Sequence, residues 1–264
     1  MIHITEMPYF DHPLPLPIAH RGGALYGPNV DLENSLMAFA NAVELGYRYL
    51  ETDVHATRDG VVYAFHDRTL DRVTDGAGRI AELSSSDVSR ARIGGREPIP
   101  TLAELFEELP EARFNIDVKE DSAVDAVVRL IERTKSHDRV CIAAFSTRRI
   151  RRLRRRLGPR VATSMGTAEV AAMRSPLPAL RWHAVEGGAV CIQVPQRAGP
   201  VTVTTRRFVR EAHRHGLQVH VWTVNSADEM TALLDLGVDG IMTDQIDTLR
   251  DVLVARDSWN GASE

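Results

Sequence analysis

Glu51 and Asp53 stand two residues apart in Tyr49-Leu50-Glu51-Thr52-Asp53-Val54, a run that reads as a strand. Alternate residues of a strand share a face, so both carboxylates point at one spot. Arg58-Asp59-Gly60 then predicts a turn into a second strand, Val61 to His66. In a hairpin closed there, residues whose numbers sum to roughly 119 lie opposite one another, which sets Asp53 across from His66. Two carboxylates and an imidazole converging in this way make a metal pair beside an acid or base.

Asp117 and Lys119 repeat the spacing in Asn115-Ile116-Asp117-Val118-Lys119. A surface ion pair on an edge strand would look the same, but Phe114, Ile116 and Val118 argue for a buried strand whose polar face lines an interior. Oxygen ligands from Glu51, Asp53 and Asp117 suit one hard divalent cation, Mg²⁺ or Ca²⁺, with Mn²⁺ also admissible, and no Cys/His spacing suits structural zinc. His20 and His66 could serve as acid and base, since an imidazole near its ordinary pKa of about 6.5 does either task at neutral pH. His20 is followed by Arg21, Gly22 and Gly23, which reads as an anion cradle, the arginine fork and close backbone amides meeting a phosphate. A helix-capping loop with a satisfied histidine is the plainer reading. Trp222, ending Gln218 to Thr223, could stack on an organic part of a substrate or pack in the core.

These residues need elements to hold them. Strand-like runs alternate with amphipathic helical runs over almost all of the 264 residues, the pattern of an α/β domain with a largely parallel sheet. The strands are expected at Leu16 to His20, Tyr49 to Val54, Val61 to His66, Arg113 to Val118, Val140 to Phe145, Val161 to Met165, Ala189 to Val194, Gln218 to Thr223 and Gly240 to Thr243. Helices are expected at Ser35 to Leu45, Leu102 to Leu109, Ser122 to Lys135, Thr147 to Leu157, Thr205 to His215 and Ala227 to Leu236. This leaves one strand too many for an eight-stranded barrel. The loop from His55 to Gly60 is too short for a parallel crossover, so one of the paired segments there is an antiparallel or irregular addition. Residues 68 to 100 break the alternation and read as an inserted excursion, a lid or small cap. Gly237-Val238-Asp239-Gly240 through Asp244 reads as a structural helix-to-strand return.

The formal charge of −4, from 32 basic and 36 acidic side chains, gives no support for steering a polyanion such as nucleic acid. The run Arg148 to Leu157 carries Ile150, Leu153 and Leu157 at helical spacing, so its arginines read as a solvated outer face. Cys141 and Cys191 fall in apolar runs and read as buried free thiols of a reducing compartment, most simply the cytoplasm. Met1 to Pro17 lacks the pattern of a secretory signal, and no run has the length of a transmembrane helix, so neither export nor stable membrane insertion is expected.

The ordered set His20-Arg21-Gly22, Glu33-Asn34, Glu51-x-Asp53, Thr57-x-Asp59-Gly60, His66-Asp67, Asp117-x-Lys119, Trp222-Thr223-Val224-Asn225 and Gly237-Val238-Asp239-Gly240 with Thr243-Asp244 resembles the glycerophosphodiester phosphodiesterases, related in fold to phosphatidylinositol-specific phospholipases C. The resemblance runs from about Ile18 to Leu253. It implies a somewhat irregular (β/α)₈ TIM barrel in one domain over residues 14–256, with an insertion over residues 68–113 after the third strand. It also implies His20 and His66 as the catalytic pair, Glu51, Asp53 and Asp117 as metal ligands, and Arg21 and Lys119 as phosphate contacts. The substrate would be a small glycerophosphodiester, cleaved to glycerol-3-phosphate and an alcohol, directly or through a cyclic phosphate. Two positions depart from the family: Leu32 stands where it usually has proline, and Asp117 where it has glutamate, a carboxylate one methylene shorter. Rival readings are phospholipid cleavage on the same fold, a metal-dependent lyase or aldolase barrel with Lys119 as base, and a barrel that only binds phosphate. Lack of an exposed apolar loop counts against a membrane substrate.

Overall fold

The computed structural model describes residues 7–261, so the first six residues of the Met1 to Pro17 segment lie outside the described residues. Eight apolar runs of two to eight residues form the barrel strands: β1 Leu16–His20, β2 Tyr49–Ala56, β3 Arg113–Val118, β4 Val140–Ala143, β5 Ala162–Thr163, β6 Cys191–Pro195, β7 Gln218–Trp222 and β8 Gly240–Thr243. Nearly all their residues are buried, as a parallel sheet enclosed by helices requires. The strand order is β5-β4-β3-β2-β1-β8-β7-β6, all parallel. A parallel bridge from Ser164 to Cys191 joins the two ends, giving a nearly closed (β/α)₈ TIM barrel.

Helices follow the strands as their apolar stripes dictate. Leu36–Glu44 starts where the Ser35 side chain accepts from the Ala38 amide, and Leu102–Glu108 starts on a capping box of Thr101 and Glu104. Val124–Thr134, Thr147–Leu157, Thr167–Met173, Pro178–Val185, Arg206–Arg214, Ala227–Leu236 and Ile246–Ala255 complete the outer ring.

The surplus strand, Val62–Ala64, is antiparallel to the end of β2, pairing Val54 with Ala64 and Ala56 with Val62. Phe65 rather than His66 therefore faces Asp53, and the Phe65 amide donates to the Asp53 carbonyl at 2.8 Å. The one-residue correction comes from the turn: Thr57 and Val61 pair across a three-residue loop ending in Gly60 at φ +85°, where a two-residue turn would give the expected register. The strand stops at Ala64, and the chain then carries His66 to the barrel mouth.

Residues beyond His66 build a small layer of their own, with a helix at Ser85–Val88 and an antiparallel pair of Arg92–Ile93 with Glu97–Pro98. Its apolar cluster includes Leu32, Phe65, Leu70, Ile80 and Ile93. Leu102, Leu105 and Phe106 of the following helix belong to the main barrel core. At the opposite end of the barrel Met7, Tyr9 and Phe10 pack under Leu16, Ile18, Tyr49 and Met242. Cys141 and Cys191 lie in the same cluster as buried free thiols, their sulfurs 3.8 Å apart.

Ile150, Leu153 and Leu157 are buried at the expected spacing, but the arginines between them are not simply solvated. Arg149 pairs with Asp121 at 2.7 Å, and Arg152 and Arg156 pair with Asp125 at 2.9 and 2.8 Å. Arg154 contradicts the outer-face reading outright: it is largely buried and donates to Thr163 Oγ1, Ser164 O and Gly187 O. It compensates Glu169, a fully buried carboxylate that also accepts from the Gly166 amide and, at 2.8 Å, from Arg151. Among the described residues no helix is long and apolar enough to cross a membrane.

Candidate active site

A cavity of about 590 Å³ opens at the C-terminal ends of the barrel strands, where loops rather than packed layers surround the residues. His20, Arg21, Glu51, Asp53, His66, Asp117, Lys119 and Trp222, all marked by sequence, line it together. The parallel register sets Asp53 beside Asp117, with Glu51 two residues back on the same face. Lys119 follows the end of β3 and drops its ammonium between these strands, 2.6 Å from Asp53 Oδ1 and 2.9 Å from Asp117 Oδ2. Arg21 Nε lies 3.1 Å from Asp53 Oδ2, an ion pair without the alignment of a hydrogen bond.

Burial would raise all three carboxyls. At Asp53 the Lys119, Arg21 and His66 charges outweigh it, and the pKa is lowered. At Asp117 burial wins over Lys119 and the pKa is raised. Glu51 is pushed up to about 7 by burial and by repulsion from Asp53, despite His20, Arg21 and Lys119 nearby. Burial disfavours the Lys119 charge, but Asp53 and Asp117 more than offset this and push its pKa up.

Each histidine leans on an aspartate. His20 Nδ1 is 2.6 Å from Asp244 Oδ1, and His66 Nδ1 is 2.6 Å from Asp67 Oδ1. The arrangement fixes each ring and leaves Nε2 for chemistry. His20 Nε2 faces Glu51 at 3.7 Å. Burial would lower the His20 pKa, yet Glu51 and Asp244 together raise it. Asn225 holds Asp244 in turn: its Nδ2 donates to Asp244 Oδ2 at 3.1 Å, and its Oδ1 accepts from the Asp244 amide at 2.9 Å.

Arg72, from the excursion, donates to Asp67 and forks onto both oxygens of Glu33 at 2.6 and 3.0 Å. Glu33 also accepts from Arg21 at 3.3 Å. Charge therefore alternates without a break from Asp53 through Arg21, Glu33, Arg72 and Asp67 to His66. Sequence reading missed Arg72 altogether and left Asp244 in a structural return. Asp244 does follow the strand that closes the sheet, but its side chain belongs to the site. The adjacency His66-Asp67 was the visible signal for one dyad, whereas His20 and Asp244 lie 224 residues apart.

The glycines after Arg21 are required by packing. A Cβ at Gly22 would come within 2.9 Å of Ala38, and one at Gly23 within 2.7 Å of Ile246, and both have positive φ. Trp222 is partly buried, lining the cavity and packing edge-on against Phe145 at 5.6 Å between centroids. Phe145 is 58% exposed and Val201, in the hairpin after β6, 49% exposed, so the mouth does carry the exposed apolar residues thought absent.

The carboxylates suit a hard cation in donor type. Asp53 Oδ2 and Asp117 Oδ1 are buried without a hydrogen-bond partner. Among the described residues no three acidic, histidine or cysteine side chains converge as a ready coordination set, the Lys119 ammonium standing between Asp53 and Asp117.

The glycerophosphoryl diester phosphodiesterase family matches residues 20–248. The chain is 45% identical to a Mycobacterium tuberculosis protein described as probable glycerophosphodiester phosphodiesterase 2, over 93% of either chain. Its fold is similar to that of a putative glycerophosphoryl diester phosphodiesterase from Silicibacter pomeroyi, with a TM-score of 0.81 at 23% identity, covering 97% of this chain and 98% of that one. It is also similar in fold to an Oleispira antarctica phosphodiesterase solved with the product sn-glycerol-3-phosphate, with a TM-score of 0.76 at 22% identity, covering 91% and 97%.

Proposed function

From the premise that the chain belongs to the glycerophosphoryl diester phosphodiesterase family, we propose that it hydrolyses small glycerophosphodiesters to sn-glycerol-3-phosphate and an alcohol, by histidine acid–base chemistry at a divalent-cation site. One observation carries the reading: two histidine–aspartate dyads, His20 with Asp244 and His66 with Asp67, face a single cleft that also holds Arg21, Lys119 and three carboxylates.

Arg21 and Lys119 offer the positive charge that a phosphoryl group needs as negative charge builds on its oxygens. One imidazole takes a proton at Nε2 from the attacking water, or from the glycerol hydroxyl to give a cyclic phosphate that water then opens, and the other gives a proton to the departing alcohol oxygen. The aspartates keep both rings in the tautomer with Nε2 directed outward. Glu51, Asp53 and Asp117 would hold a divalent cation, which when bound supplies Lewis-acid polarisation of a phosphoryl oxygen. Lys119 is a poor base for a lyase reaction, because the two aspartates hold it as an ammonium. Buried free thiols at Cys141 and Cys191 support a reducing, cytoplasmic setting.

The test is a panel of glycerophosphocholine, glycerophosphoethanolamine and glycerophosphoglycerol incubated with purified protein and Mg²⁺, Ca²⁺ or Mn²⁺. Release of sn-glycerol-3-phosphate from at least one diester is expected. Failure to release it from any diester under any cation would overturn the reading.

A further inference from the structure

Glu51, Asp53 and His55 share one face of β2, and the reaction proposed above uses only the first two. The His55 ring is 1% exposed, and its Nε2 lies 3.1 Å from the His66 carbonyl oxygen. A carbonyl only accepts, so Nε2 carries the proton and Nδ1 keeps a lone pair. That Nδ1 is buried with no hydrogen-bond partner among the described residues. Burying an imidazole with one nitrogen unsatisfied costs free energy that leucine in the same space would not. Among the described residues the bond to His66 is the ring's only one.

Pairing along β2 stops short of His66. The hairpin ladder ends at Val54 with Ala64, and one further bond runs from the Phe65 amide to the Asp53 carbonyl. No backbone–backbone hydrogen bond reaches His66 among the described residues. Its Nδ1 leans on Asp67, but Asp67 is the next residue of the same segment. A dyad of neighbours keeps its internal geometry wherever the segment goes. Arg72 ties Asp67 to the excursion and to Glu33, neither of them on β2. His55 supplies the tie to the strand that bears the carboxylates, two residues beyond Asp53.

Resting on the hydrolase reading above, we infer that His55 is a positioning residue: its Nε2–H fastens the backbone of the His66–Asp67 dyad to the strand of Glu51 and Asp53, and so sets where the His66 ring meets the phosphoryl group. It touches neither substrate nor reacting atoms and acts only through His66.

His55→Leu removes the donor and keeps an apolar filling, whereas His55→Gln keeps an N–H at the end of a side chain of similar reach. His55→Asn carries the same amide on a shorter stem, which leaves the contrast of Gln with Asn available should His55→Leu not fold. With the diester that the wild type cleaves best, kcat is expected to fall about tenfold or more in the Leu and Asn variants while KM stays within about twofold, the signature of a displaced reacting group rather than of lost binding. His55→Gln should recover most of that loss. Long-range ¹H–¹⁵N spectra of the imidazoles at alkaline pH read the His66 ring without turnover: one tautomer, protonated at Nδ1 beside Asp67, is expected in the wild type and in His55→Gln, and an averaged pattern in the Leu and Asn variants. Wild-type kcat in a folded Leu or Asn variant would overturn the inference. So would a loss of kcat that follows Tm and that glutamine does not recover, or His66 signals unchanged across the set. If the wild type cleaves no diester, the hydrolase reading falls, and the His66 spectra still decide whether His55 holds that ring.

Discussion

His20 Nδ1 and Asp244 Oδ1, 2.6 Å apart, tie the first barrel strand to the residue that follows the last. The contact spans the seam where β1 meets β8, so the pairing of these two strands brings the aspartate to this histidine. Asn225 locks the aspartate from the neighbouring strand's loop. Asp244→Asn keeps the size of the side chain but removes the charge that holds the ring's Nδ1–H. It is expected to lower kcat by about 10²-fold or more with little change in Tm, since a misoriented acid or base forfeits most of its contribution. Retention of wild-type kcat in steady-state assays would show that Asp244 only closes the fold.

The histidines themselves should matter more than anything around them. His20→Ala and His66→Ala are each expected to cost 10²–10⁴-fold in turnover while the circular dichroism and melting behaviour stay native, because both rings line a cavity rather than the core. A purified variant keeping more than about a tenth of wild-type activity would remove that histidine from the chemistry.

Arg72 offers a more discriminating test, because it touches His66 only through Asp67. Its side chain is 47% exposed, so its ion pairs are worth little to stability, about 0–1 kcal/mol. Arg72→Ala should therefore leave Tm nearly unchanged while kcat falls about tenfold or more with His66 loosened, and Arg72→Lys should restore only part, lacking the fork that spans Glu33 and Asp67. Equal losses of Tm and kcat in thermal and kinetic assays would mean that Arg72 merely anchors the excursion.

For the proposed cation, exhaustive chelation should abolish turnover and added divalent metal should restore it. Binding of sn-glycerol-3-phosphate, measured by calorimetry, should also weaken on chelation, since the cation would face the anion. Full activity of protein shown metal-free by elemental analysis would transfer the whole electrostatic task to Arg21 and Lys119.

How much of this could be read beforehand follows from the range of each interaction. Strands β1, β3 and β8 begin and end where their apolar runs do, because period and flanking turns are local. The carboxylates of Glu51, Asp53 and Asp117 were legible because alternation along a strand dictates a face without reference to the rest of the chain. The hairpin register slipped by one because a single residue of loop length decides it, and Arg58-Asp59-Gly60 allows either count. Arg72 and Asp244 were invisible for another reason. Their roles come from contacts that only the closed barrel and the folded excursion create. Arg154 looked like one more surface arginine until its partner, Glu169 on the next helix, proved to be buried.

That last pair makes a prediction about stability and pH. Burial alone would raise the Glu169 pKa, but the Arg154 charge, hydrogen bonds from Arg154 and Arg151, and the Gly166 amide lower it below the usual glutamate value. A carboxyl depressed in the folded state binds its proton more readily once unfolded, so stability falls as pH falls. The contribution is complete above the unfolded value near 4.5 and disappears as pH drops through the depressed folded value. Glu169→Gln removes that linkage and strands the Arg154 guanidinium, and near pH 7 it should cost about 3–5 kcal/mol, the usual penalty for breaking a buried pair from one side. Urea melts of both proteins from neutral to acid pH provide the measurement. The gap between them should be widest at neutral pH and narrow only in acid; a gap that stays constant would show that Glu169 acts through shape and not through its charge.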